Sequence, residues 1–81
     1  MRVLRETIDL LAPGKDSQQI AALLNEEFGL NVVKSVRHEG WIRVEVVGHE
    51  ADEIDFVCQQ VLSKCRTIVS CVLQDGSAPW R

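Results

Sequence analysis

Between Glu50 and Cys65 the apolar residues Ile54, Val57, Cys58, Val61, Leu62 and Cys65 fall at spacings 0, 3, 4, 7, 8 and 11. That rhythm is the 3.6-residue turn of an α-helix with one buried stripe. Just before it, the segment 41–47 (WIRVEVV) alternates Ile42, Val44 and Val46 with Trp41, Arg43, Glu45 and Val47. Alternation of this kind marks a strand with two different faces. A chain whose apolar period changes from 2 to 3.6 must bury both kinds of stripe together, and laying helices on a sheet does so.

The first half repeats the change of period. Residues 2–11 place Leu4, Ile8 and Leu10 on one side and Arg5, Thr7 and Asp9 on the other, with Glu6 interrupting the apolar side. Ala12-Pro13-Gly14-Lys15 reads as a loop. Asp16 or Ser17 can cap a helix, with Gln19 near the reciprocal capping position. Ile20, Leu23, Leu24 and Phe28 form its stripe, and Gly29 supplies a left-handed stop. Residues 31–38 read as a second strand, joined to 41–47 through Glu39-Gly40 as a hairpin.

Gly48 and His49 end the third strand. Glu50, Asp52, Glu53 and Asp55 then crowd the first turn of the second helix, with Lys64 and Arg66 at its other end. The helix dipole favours both placements, so the acidic run needs no ligand. Residues 67–74 (TIVSCVLQ) are apolar on both faces, which predicts a strand flanked by others or covered on both sides.

The order strand, helix, strand, strand, helix, strand predicts an α+β chain. Packing both helices on one face of a four-stranded antiparallel sheet gives the ferredoxin-like βαββαβ arrangement. The reading assigns 1–75 to a single domain and 76–81, including Trp80, to a frayed tail.

Composition narrows the function. The 81 residues are 46% hydrophobic and 26% charged, which suits a globular chain rather than a disordered one. No apolar run is long enough for a membrane span, and MRVLRETID carries charges where a leader would be apolar. A cytoplasmic home is the expectation. Net charge is −3, no basic cluster exceeds two residues and Tyr is absent. These features argue against a nucleic-acid partner.

Chemistry is sparse. Cys58, Cys65 and Cys71 show no zinc-type spacing and read as reduced, mostly buried thiols. Only Cys65, between Lys64 and Arg66, has basic neighbours of the kind that activate a thiol. The loop before the first helix lacks the two thiols of a copper-chaperone module and the Arg of an acylphosphatase cradle. His38 and His49 follow no nucleophile pattern, though His49 beside Glu50 is the best placed as a base. The expectation is a chain that is not an enzyme and has no metal or cofactor.

Two places remain. The Pro13-Gly14 loop opens a helix whose first N–H groups can hold a carboxylate or phosphate, with Lys15 adding charge. The sheet face away from the helices should carry Trp41, Arg43, Glu45 and Val47. Val33, Ser35 and Arg37 join them if the register suits, together with Ile68 and Val72 or else Val69 and Leu73. A mixed surface holding a Trp is suited to an interface.

The segment LLAPGKDSQQIAALLNEEFGLNVV resembles the start of an ACT domain, through Pro13, Gly14, Ile20, Leu23, Leu24, Gly29, Asn31 and Val32. The remainder suits the same topology over about 70 residues, and GWIRVEVVGHEADEIDFV is similar to the ACT-like NIL domain attached to methionine transporters. The resemblance implies a regulatory module that binds an amino-acid-like metabolite at a homodimer interface. It implies Pro13, Gly14, Lys15, Asp16 and Asn31 as ligand-binding residues. The family's loop Asp falls on Leu11 here, leaving Asp16 or Asp9 as acidic substitutes. VRHEGWIRVEV also resembles, more weakly, the hairpin of the small, non-catalytic subunit of bacterial formylglycinamidine ribonucleotide synthase. That likeness implies a non-catalytic accessory subunit of a larger enzyme, and the open sheet face with Trp41, Arg43 and Val47 is where it would dock.

Overall fold

The computed structural model describes residues 4–74. It contains β1 (Arg5–Leu11), α1 (Ser17–Phe28), β2 (Val32–His38), β3 (Trp41–Val47), α2 (Ala51–Lys64) and β4 (Ser70–Gln74). The strands form one antiparallel sheet in the order β2-β3-β1-β4, the expected ferredoxin-like arrangement. The tail expected at 76–81, Trp80 included, lies outside the described residues.

Each element starts and stops for a local reason. Asp16 caps α1: its Oδ1 accepts from the Gln19 N–H at 2.8 Å, and Gln19 Oε1 accepts from the Asp16 N–H at 3.0 Å. This reciprocal pair satisfies two N–H groups that the helix itself cannot. The helix ends at Gly29 in the left-handed region, with Leu30 N–H returning to the Leu24 carbonyl at 3.0 Å. Helix α2 starts after Glu50 and ends before Cys65, with Asp52 and Glu53 in its first turn and Lys64 in its last. Between β2 and β3, Glu39 (φ 48°) and Gly40 (φ 89°) make the two-residue turn whose twist matches a hairpin.

Register sorts the residues into two faces. Toward the helices lie the rows Arg37, Ile42, Leu10, Cys71 and Ser35, Val44, Ile8, Leu73. Ile8, Leu10, Ile42, Val44 and Val46 are fully buried there, against Ile20 and Leu24 of α1 and Ile54, Cys58 and Val61 of α2. This single apolar layer is the main source of stability.

Four expectations need correction. The first strand begins at Arg5, and Leu4 is exposed rather than part of the apolar side. Leu62 also leaves the buried stripe and is 41% exposed, on the flank of α2 away from Val57. Strand β4 is an edge strand paired only with β1, not a strand between others. Its apolar run is long because Ile68 is buried in the loop before the strand begins, while Val69 and Val72 are exposed. Finally, a register shift between Val32 and Lys34 moves Ser35 and Arg37 onto the helix side. Lys34, Val36 and His38 lie on the opposite face in place of Ser35 and Arg37, while Val33, at the irregularity itself, is exposed.

Candidate functional site

The loop before α1 is tightly held. Gly14 takes φ 83°, and the Lys15 N–H closes the turn onto the Ala12 carbonyl at 3.1 Å. From β2, Arg37 donates to the Lys15 carbonyl at 2.7 Å, and the Ser35 hydroxyl donates to the Ser17 carbonyl at 2.8 Å. Pro13, Gly14, Lys15 and Asp16 therefore form one ordered corner. Lys15 and Arg37 bring positive charge to the helix start, while the Asp16 carboxylate already occupies one of its N–H groups. Arg37 was not among the residues expected here; only the strand register reveals it.

Asn31 is not part of that corner. It follows the far end of α1, whose 12 residues span about 18 Å. There its N–H donates to His49 Nε2 at 3.1 Å, and its carbonyl accepts from the Val47 N–H at 3.1 Å. His49 Nδ1 meets Glu53 Oε2 at 3.0 Å. Accepting at Nε2 requires the neutral ring to carry its proton on Nδ1 and donate it to Glu53. Both nitrogens of the best candidate base are thus engaged in joining β2, β3 and α2.

The sheet face away from the helices is ordered in rows across the strands. The central row is Val36, Arg43, Asp9 and Val72. Arg43 Nε donates to Asp9 Oδ1 at 3.1 Å, and its second nitrogen reaches Oδ2 at 3.3 Å. Both carboxylate oxygens are satisfied by one planar fork. Asp9 is only 2% exposed although it sits on this face, because β3 and β4 flank β1 on both sides. On one side of this row lie His38, Trp41, Leu11 and Ser70. On the other lie Lys34, Glu45, Thr7 and Gln74, with Arg5 reaching Glu45 at 3.7 Å and Val47 opposite Arg5. Trp41, Arg43 and Val47 share the face as expected. Asp9, Val36 and Val72 complete its centre.

Among the described residues no group of three or more His, Cys, Asp or Glu side chains is arranged to hold a metal ion. No described helix is long and apolar enough to cross a membrane. A recess of about 210 Å³ lies between the helices, lined by Leu23, Glu27, Phe28, Lys64 and Cys65. It adjoins neither the Pro13–Asp16 corner nor the central row.

No known protein family, curated protein or solved structure matches this chain.

Proposed function

We propose that this chain is a non-catalytic module that works by assembly, and that a second copy of itself docks on the open sheet face. The observation that carries the reading is the central row. Two half-exposed valines, Val36 at 44% and Val72 at 45%, flank a fully engaged Arg43–Asp9 pair. An internally neutralised pair between apolar side chains can be covered without stranding a charge, which is what an interface centre requires. The surrounding charges are of mixed sign, with Arg5 and Lys34 beside Glu45. A mixed face can meet its own two-fold image, whereas a strongly charged partner would call for a face of one sign.

Sedimentation velocity tests this reading. The wild-type chain should sediment as a dimer at high micromolar concentration. V36E/V72E should sediment as a folded monomer, because both side chains are exposed in the single chain. A monomeric wild type, or a dimer unaffected by the double substitution, overturns it.

A second reading rests on the Pro13–Asp16 corner. Arg37 is held against the backbone of Lys15 where α1 begins, and two cationic residues at a helix start suit the carboxylate of an amino-acid-like metabolite. It builds on the resemblance to ACT domains and makes the module regulatory. A bound metabolite would favour one dimer arrangement by the difference in its affinity for the two. Asn31 then belongs to this site only if a partner copy brings it there. A thermal-shift response to an amino-acid panel that R37A removes supports this reading. A flat panel eliminates it, leaving the docking module, with a larger enzyme as the alternative partner.

A further inference from the structure

The order of residues along the central row fixes more than the place of docking. Read from β2 through β3 and β1 to β4, the row is Val36, Arg43, Asp9, Val72. Its two ends are valines of nearly equal exposure. Its two inner positions carry opposite charges, bonded to each other. About its midpoint, at the boundary of β3 and β1, the row is therefore even in shape and odd in charge. In the row on one side Trp41 pairs with Leu11, and in the row on the other Glu45 pairs with Thr7.

Docking of a second copy on this face, as proposed above, places a two-fold axis in the plane between the two sheets. Packed sheets keep their strand directions within about 30° of each other unless strands bend from one sheet into the other. Here all four strands belong to one sheet. An in-plane axis turns the partner's strands through twice its own angle to them. Only two orientations then remain, with the axis along the strands or across them. An axis across the strands lays each strand on its own copy. Arg43 then lies on the partner's Arg43, Asp9 on the partner's Asp9, and Trp41 on the partner's Glu45. An axis along the strands lays β2 on β4 and β3 on β1. Val36 then meets the partner's Val72, Arg43 lies over the partner's Asp9, and Trp41 lies over the partner's Leu11. The first orientation opposes like charges at the centre of the interface and buries a carboxylate under an indole. The second opposes unlike charges and sets apolar side chains on apolar ones.

We infer that the two copies pack with their two-fold axis parallel to the strands at the β3–β1 boundary, β2 of each lying on β4 of the other. This orientation rests on the proposed open-face docking and adds to it how the partner sits. The centred axis covers both valines of both copies, whereas an axis displaced toward either edge leaves one of them in water.

Cross-linking tests the orientation. Val36→Cys and Val72→Cys are made separately in the full chain with Cys65→Ser, which removes the one native thiol that is not buried. Sedimentation velocity first compares the wild type and each variant. The two variants are then mixed, left to exchange subunits and treated with a short bismaleimide, alongside each variant alone. The mixture should yield several-fold more covalent dimer than either variant alone, with residues 36 and 72 in the linked peptides. In a dimer of one variant the introduced thiols lie three strand spacings apart, about 14 Å, besides the ~10 Å between sheets. The pair His38→Cys and Ser70→Cys, one row along, should behave in the same way. Strong self-cross-linking of each variant with no gain on mixing overturns the orientation and leaves the open-face dimer standing. Dimers that sediment intact but give no covalent product in any sample overturn both. A monomeric wild type removes the docking itself, and sedimentation reports that failure before any cross-linker is added.

Discussion

Arg43 faces Asp9 across neighbouring central strands and donates two hydrogen bonds to its carboxylate, at 3.1 and 3.3 Å. Their burial is unequal: the Arg43 side chain is 29% exposed and that of Asp9 is 2% exposed. The cost of breaking the pair should follow that inequality. Arg43→Ala leaves a buried carboxylate without its guanidinium and should cost about 3 kcal/mol in chemical denaturation. The double change Asp9→Val with Arg43→Val should cost clearly less, because no charge is then left inside. A double variant as unstable as the single one would show that the stranded carboxylate is not what makes Arg43→Ala costly.

The hairpin offers the opposite prediction. Glu39 holds φ 48°, a region that Asn occupies far more readily than Glu. Glu39→Asn should raise stability by about 0.5–1 kcal/mol, and the melting midpoint by about 4 °C for a domain of this size. An unchanged or lowered midpoint would mean that the Glu39 side chain contributes more to the turn than its backbone strain removes.

His49 gives a local test. The Asn31 N–H depends on its Nε2 at 3.1 Å, and a protonated imidazole has no lone pair with which to accept. His49→Ala should cost about 1 kcal/mol and should speed hydrogen exchange at the Asn31 amide. Equal exchange in the variant and the wild type would show that this link is not kept in solution.

The layout of the fold was readable because periodicity reports burial directly. Ile54, Cys58 and Val61 on α2 and Ile42, Val44 and Val46 on β3 all lie where their spacing places them. What failed was anything that depends on neighbours in space. An apolar run does not say whether its strand is central, so β4 was expected to be flanked by other strands or covered on both sides, and it is an edge strand with Val72 exposed. The alternation of β1 suggested a wetter side for Asp9, yet a central strand is covered on both faces wherever a long side chain such as Arg43 lies across it. The Val33 irregularity moved every later residue of β2 to the other face, which no propensity announces. For the candidate site, Trp41, Arg43 and Val47 were legible from alternation alone. The Arg37 contact with the 13–16 loop arises from a pairing far apart in sequence, and a single sequence carries no record of it.

Thr7 and Gln74 are register partners, and the Gly48 N–H reaches back to the Leu4 carbonyl at 2.9 Å. The described chain thus enters its sheet at Arg5 and leaves it at Gln74, two residues away in register, on adjacent strands about 4.8 Å apart. A fold with this geometry is a closed circuit with one narrow gap. A short bridge across that gap, with new ends opened between Glu39 and Gly40, would preserve every strand pairing except the hairpin turn itself. The same narrow gap would let the whole unit be spliced into a surface loop of another protein without prising its host apart.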